Sequence, residues 1–181
     1  MKRVLFPGRF QPFHYGHLSA LEQLLMEYDE VVVAIGSAQE GYTCKNPFTA
    51  GERFEMIARV AVSRNLRDKI WIITVPDINM PLAWPAYVLS MAPKVCAVAS
   101  GNPQTLYLFE WMGFKVKRIQ LVEPEKYHGT KIRNLMVSGD DAWRELVPPE
   151  VAVFIDEIRG AERVRRLCRD EHFSENRWQH G

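Results

Sequence analysis

The sequence predicts an α/β fold: a doubly wound parallel sheet of about five strands, with helices on both faces and a helical C-terminal part. Three observations predict it. Short apolar runs alternate with helix-like stretches five times along the chain. Each run is continuously apolar rather than alternating with polar residues, which is how strands covered on both faces read. From Lys131 onward the pattern is mainly helical.

Val4-Leu5-Phe6 reads as the first buried strand, ended by Pro7-Gly8. Leu18, Leu21, Leu24 and Leu25 then fall at helical spacing up to Asp29. Val31 to Ile35 is the second strand, ended by Gly36-Ser37. After a polar loop, Thr49 and Glu52 form a capping box that opens a helix. Its inner face is read as Phe54, Ile57, Ala58 and Ala61. Ile70 to Val75 is the third strand, β-branched and aromatic. A short helix is expected around Leu82, Trp84, Tyr87 and Val88. Val95 to Ala99 is the fourth strand, and a further helix runs to Met112 with Gly113 as its stop. Val116 to Leu121 is the fifth strand, and helical pieces follow near Ser138-Gly139, Pro149 to Arg159 and Arg169. The whole is Rossmann-like. Ligands of such sheets bind outside the strand carboxyl ends, so the loops after Phe6, Ile35, Val75, Ala99 and Leu121 hold the candidate site.

The 181 residues suit one domain, read as residues 1–169, with a short charged tail at 170–181. The formal net charge of +1 argues against coating nucleic acid or an anionic membrane. The apolar stretch Pro81 to Ser100 is broken by Pro85, Pro93 and Lys94 and cannot span a bilayer. Cys44, Cys96 and Cys168 are odd in number and widely spaced, so neither a disulfide framework nor a thiolate zinc site is read, and a reducing cytosol is the expected compartment. Glu162 to Glu171 reads as a charged helix, solvated or facing a neighbouring subunit, and residues beyond Phe173 are polar except Trp178.

The first loop carries the chemistry. It runs Gly8-Arg9-Phe10-Gln11-Pro12-Phe13-His14-Tyr15-Gly16-His17, at the mouth of the first helix. A helix N-terminus offers free N–H groups and positive dipole to an anion. Gly8 and Gly16 leave room for close approach, and His14 and His17 add directed donors. No Gly-Lys-Ser/Thr follows, so this is not a Walker loop, and no third zinc ligand is evident. Its place after the first apolar strand favours phosphate binding.

These ten residues resemble the signature of the His-x-Gly-His nucleotidyltransferase superfamily and, more closely, the archaeal-type nicotinamide mononucleotide adenylyltransferases. Gly36-Ser37-Ala38-Gln39, Asn46 through Arg53, and Ser100-Gly101-Asn102-Pro103 agree with that subgroup, and the likeness runs to about Arg165. It implies adenylyl transfer from ATP to nicotinamide mononucleotide, giving NAD and pyrophosphate in a cytoplasmic homo-oligomer, a hexamer in many relatives.

The superfamily's second motif, Ser-x-Thr-x-x-Arg, is matched by Tyr127-His128-Gly129-Thr130-Lys131-Ile132-Arg133, with His128 in the usual serine position. Thr130 is read as the N-cap of a helix and Arg133 as lying one turn along, a pair suited to the leaving pyrophosphate. The attacking phosphate is already an anion at neutral pH, so the reaction asks for positioning and charge rather than a base or nucleophile. Arg9, His14, His17, Lys45 and Arg133 are the candidate catalytic donors, Lys45 standing where the subgroup often has arginine. ATP is assigned to Gly8, Arg9, Phe10, His14, Gly16, His17, Gly101, Asn102, Thr130 and Arg133. The mononucleotide is assigned to Gly36, Ser37, Asp77 and Trp84, with Trp84 stacking on the pyridinium ring and Asp77 orienting its loop or the carboxamide. Trp71, Trp111 and Trp143 are read as packing residues. Mg²⁺ is expected on the ATP phosphates, and no residue is assigned as a metal ligand. Two other functions fit the first loop: adenylyl or cytidylyl transfer to phosphopantetheine or a flavin precursor, and a noncatalytic ATP- or NAD-sensing module.

Overall fold

The structure, a computed structural model, describes residues 1–177, with side chains through Asp170. The expectation for Trp178 and its neighbours lies outside the described residues. Strands β1 (Arg3–Gly8), β2 (Glu30–Ile35), β3 (Ile70–Thr74), β4 (Ala97–Ser100) and β5 (Val116–Arg118) form one parallel sheet in the order β3-β2-β1-β4-β5. The register sets Gly8 opposite Ile35, so the first two strands end level and deliver their loops to one edge.

Both faces are covered, and the strand residues sort between them by parity. Val31, Val33 and Ile35 enter the larger core, while Val32 and Ala34 enter the smaller one. On the larger side lie α1 (Tyr15–Leu25) and α2 (Ala50–Ser63), joined by α5 (Gly129–Ser138), α6 (Pro149–Glu157) and α7 (Gly160–Arg177). On the other side, α3 (Trp84–Met91) and α4 (Pro103–Trp111) pack through Val88 and Phe109. The central strands β1, β2 and β4 have two buried faces and no polar face to show, which explains their apolar runs. The edge strand β5 departs from the expected apolar run and carries Lys117 and Arg118. Among the described residues no helix is long and apolar enough to cross a membrane.

Several local expectations need correction. The capping box of α2 is present, with Thr49 Oγ1 accepting the Glu52 N–H at 3.2 Å and Glu52 accepting that of Thr49 at 2.9 Å. The inner face of that helix is instead Arg53, Met56, Ile57, Val60 and Ala61, and Phe54 is 43% exposed. The face is rotated because position 53 is drawn inward by backbone carbonyls rather than by apolar contact. Strand β5 stops at Arg118, since past it the chain leaves the ladder at the sheet edge and Leu121 is half exposed. Trp143 is buried as expected, but Trp71 and Trp111 are not. Trp71 lies on the edge strand β3, where its indole N–H donates to Glu30 at 3.0 Å and the Arg3 guanidinium lies 5.1 Å from its ring.

The cysteine reading is overturned. Cys44 and Cys168 form a disulfide, their Cα atoms 4.7 Å apart across 124 residues, and Cys96 is free and exposed. The bond ties the loop before α2 to α7, and the compartment argument from cysteine usage falls with it. The same two parts are joined by Arg163, which grips both Glu52 oxygens at 2.8 Å. Burial alone would raise the Glu52 carboxyl, but the bonds from Arg163 and Thr49 outweigh it and hold it below its ordinary range.

Candidate active site

From β1 the chain first builds outward through β2 and β3, then crosses back to lay β4 on the other side of β1. The loops after β1 and β4 therefore diverge, and a crevice opens between them. A cleft of about 500 Å³ occupies that place. Gly8, Arg9, Phe10, His14 and His17 line it from the first loop, and Gly36 and Ser37 from the loop after β2. Asp77 and Trp84 follow β3, Asn102 follows β4, and Thr130 and Arg133 come from α5. Gly16 and Gly101 line an adjoining, more apolar recess of about 310 Å³ with Ile119, Leu121 and Tyr127. Lys45 opens a third depression beyond Arg9, beside Thr43 and Asn46. All fifteen expected positions thus border three neighbouring hollows at one sheet edge.

The two histidines act as a unit. Their rings stack at 3.6 Å, 21° from parallel, at the start of α1. His17 Nδ1 accepts the His14 backbone N–H at 3.3 Å, which places the proton of neutral His17 on Nε2. The rings of Phe10 and Phe13 enclose His17 at 4.7 and 5.5 Å. Phe10 itself is buried, so its ring backs His17 rather than facing a ligand. Gly8 is required there, because a Cβ would meet the Phe10 ring at 2.7 Å. Burial pushes the His14 pKa down to about 3, with the neighbouring His128 adding to the fall. His17 is lowered well below its ordinary value by burial and by His14. Both are neutral near pH 7 without ligand, N–H donors rather than fixed charges. His14 Nδ1 is buried at the cleft wall with no hydrogen-bond partner.

The second motif meets the first across 122 residues of sequence. Arg133 Nη1 donates to the Gln11 carbonyl at 2.8 Å, and Nη2 donates to Thr130 Oγ1 at 3.2 Å. Close approach of the two segments depends on Gly129, where a Cβ would lie 3.1 Å from the Gln11 oxygen. Helix α5 accordingly begins at Gly129 with His128 as N-cap, so Thr130 is not the cap but the hydroxyl that steadies Arg133. Burial and the repulsion of Arg9 lower the Arg133 guanidinium to about 10, which leaves it cationic at neutral pH.

At the other end, Asp77 bonds the loop after β2. Its carboxylate accepts the Ser37 N–H at 3.3 Å, and its own N–H donates to Gln39 at 2.8 Å. It therefore ties the loop after β2 to its own, the segment that leads to Trp84. Trp84 is half-buried on the Phe109 ring, centroids 5.8 Å apart, and lines the cleft.

Sequence reading missed Gln11 and Arg53. The buried Gln11 amide closes a pair of bonds with the Phe48 backbone, donating at 2.7 Å and accepting at 3.0 Å. Nothing in its local sequence marks that partner. Arg53 is fully buried beneath the cleft floor, and counting helical turns from the Thr49 cap would have put it on the inner face.

Arg9, Lys45 and Arg133 line these hollows with Arg53 beneath them, against the two carboxylates of Asp77 and Glu40, and neutral imidazoles stand between them. Such a field binds a polyanion and steadies charge growing on it. A cleft lined by cationic and N–H-bearing groups at the switch point of a parallel sheet defines the class, and the chain belongs to the Cytidylyltransferase-like family, which it matches over residues 5–135. Within that class it belongs with the nicotinamide-nucleotide adenylyltransferases. It is 45% identical to the one of Pyrococcus furiosus over 99% of this chain and 96% of that protein. To the one of Methanothrix thermoacetophila it is 46% identical, over 94% and 99%. Among solved structures, a bifunctional NMN adenylyltransferase/ADP ribose pyrophosphatase from Francisella tularensis, complexed with AMP and a manganese ion, superposes with a TM-score of 0.77 at 18% identity. The match covers 99% of this chain and 56% of that longer one, and it shows the shared fold.

Proposed function

We propose that the chain transfers the adenylyl group of ATP to nicotinamide mononucleotide, giving NAD and pyrophosphate by direct in-line attack without a covalent intermediate. One observation supports this above the rest: the paired imidazoles of the first loop and the Thr130–Arg133 pair of α5 border one cleft, locked together through the Gln11 carbonyl. The mononucleotide phosphate attacks the α-phosphorus, and the bond to the β,γ-pyrophosphate breaks. His14 and His17 hold the triphosphate, with the Nε2 proton of His17 following charge onto the α-phosphoryl oxygens. Arg133 and Thr130 take the departing pyrophosphate, and Arg9 and Lys45 hold the phosphates from the opposite side. The apolar recess beside Gly101 and Asn102 receives the adenosine, Gly36 and Ser37 meet the mononucleotide, and Trp84 covers its pyridinium face.

ATP brings a magnesium ion on its phosphate oxygens. The donors ringing the cleft are cationic or neutral N–H groups, and among the described residues no three His, Cys, Asp or Glu side chains gather as ligands. That donor set suits an ion carried in by the nucleotide. A homo-oligomer, hexameric by family likeness, in the cytoplasm completes the reading, and light scattering tests the assembly.

The test is direct. Purified protein supplied with ATP, Mg²⁺ and nicotinamide mononucleotide should release pyrophosphate and form NAD. Turnover on phosphopantetheine or a flavin precursor with none on the mononucleotide would replace this reading.

A further inference from the structure

We infer that Arg53 is a positioning residue that sets the backbone of the loop meeting the mononucleotide and joins it to the first loop, which holds the triphosphate; the inference rests on the reaction proposed above. Arg53 stands at the head of the inner face of α2 and is 0% exposed. Its guanidinium makes five hydrogen bonds, all to backbone carbonyls. Nε donates to Thr49 at 3.2 Å, Nη1 to Arg9 at 2.9 Å and Gly36 at 2.7 Å, and Nη2 to Ser37 at 3.0 Å and Glu40 at 3.4 Å. Among the described residues no carboxylate pairs with it as a salt bridge, and burial lowers it to about 10, still a cation at neutral pH.

A buried cation hydrogen-bonded only to neutral carbonyls, with the Asp77 and Glu52 carboxylates acting on it from beyond bonding distance, is a costly way to fill a helix face. Met56, Ile57 and Val60 fill the rest of that face without such cost. What the guanidinium adds is control of three particular peptide planes. Phe10 and Ser37 have left-handed backbones, φ 53° and 48°, uncommon for residues with a side chain. The Arg9 carbonyl belongs to the peptide leading into Phe10, and the Gly36 and Ser37 carbonyls belong to the peptides on either side of Ser37. Holding those oxygens fixes φ at Phe10 and both dihedrals at Ser37. Strained conformations persist where surrounding bonds over-determine them. The planar fork does this for two loops at once, whose own backbones share a single hydrogen bond, Gly36 N–H to the Gly8 carbonyl at 2.9 Å. The Arg9 side chain and the Ser37–Asp77 contact are thereby set from a common base. Lysine has the charge but neither the plane nor the five donors.

The arrangement predicts which substrate suffers. His14, His17, Thr130 and Arg133 make no bond to Arg53, whereas Gly36, Ser37 and Arg9 do. After unaltered protein has been shown to turn over ATP with nicotinamide mononucleotide, Arg53→Lys should fold and raise KM for the mononucleotide on the order of tenfold. It should lower kcat by a similar factor, about 10²-fold in kcat/KM, the scale for a holding group displaced by about an ångström. KM for ATP should rise by less, because three of the five bonds go to the loop after β2 and one to Arg9. Arg53→Ala should regain part of its kcat when guanidinium ion is added at non-denaturing concentration, and ammonium should give less. Equal rises in both KM values in folded Arg53→Lys, or unchanged kinetics with only a lower melting temperature, would reduce Arg53 to a packing role. Absence of turnover in the unaltered protein would strike the reaction proposed above and not this one.

Discussion

The two ends of the cleft are built differently. At the end proposed for the triphosphate, Gln11, His14 and Arg133 are buried and cross-linked: the His14 and His17 rings are stacked, Arg133 is bonded to the Gln11 carbonyl, and Gln11 is bonded both ways to Phe48. At the pyridine end, the segment from Asp77 to Trp84 follows the edge strand β3, and Met80 and Leu82 are 64% and 58% exposed. The difference follows from what each end has to hold. Repulsion between phosphates falls only if donors already stand at fixed separations, and such preorganisation is lost when they can drift. A flat ring asks for one aromatic surface, which a looser segment can supply.

If the rigid end carries the transition state, His17→Ala should produce the largest effect. Its loss removes one N–H donor and the acceptor that holds the His14 backbone N–H. We expect kcat to fall on the order of 10²- to 10³-fold, about 3–4 kcal/mol. A change confined to KM would mean that the imidazole binds ground state and transition state alike.

The disulfide sharpens the same contrast, because it anchors the loop of Lys45 and Phe48 to α7. Replacing Cys44 and Cys168 by serine opens a long covalent loop and should cost about 2–4 kcal/mol of stability. The melting temperature should fall by roughly 2–4 °C for each kcal/mol. Thiol titration of denatured protein should find one reactive cysteine before reduction and three after it. Three before reduction would show that the bond does not form.

Acid should loosen the rigid end before the open one. His14 has its pKa lowered to about 3 in the folded chain, chiefly by burial. Between its ordinary value near 6.5 and that figure, the unfolded chain takes up a proton that the folded one refuses. Stability therefore falls as pH falls through this window and is unaffected by His14 above about pH 7. The slope approaches about 1.4 kcal/mol per pH unit for each such imidazole, and His17 acts in the same direction. Urea midpoints at about pH 7.5 and about pH 5.5 should differ less in His14→Gln than in the unaltered chain. Parallel lines would show that this histidine titrates normally.

Legibility in the sequence follows the range of the interactions. The strands, the capping box of α2 and the phosphate-facing first loop are local patterns, and the sheet then carries their termini to one edge without further information. Gln11 and the Cys44–Cys168 pair act through partners 37 and 124 residues away, so no spacing announces them, and for Arg53 helical spacing announces the inward face but not the carbonyls it meets. Arg53 shows how a rule can mislead. An apolar residue is the usual occupant of an inner face, and Phe54 was available one position on, so the inward turn of a cation depends on carbonyls from two other loops. The start of α5 at Gly129 rather than after Thr130 has a similar cause, the close approach of Gln11.

The open end should give the smallest change and the most selective one. Trp84 rests on Phe109 in the smaller core, so its removal leaves the His14–Arg133 assembly untouched. A cation over an indole contributes about 0.5–2 kcal/mol, depending on how dry the site is. Trp84→Ala should therefore raise KM for nicotinamide mononucleotide between about twofold and thirtyfold while leaving that for ATP near its original value. Phenylalanine at this position should restore most of the loss, because it keeps an aromatic face without the indole N–H. If both substrates weaken together, Trp84 holds the fold of α3 instead of the ring, and the two ends of the cleft are less separable than their construction implies.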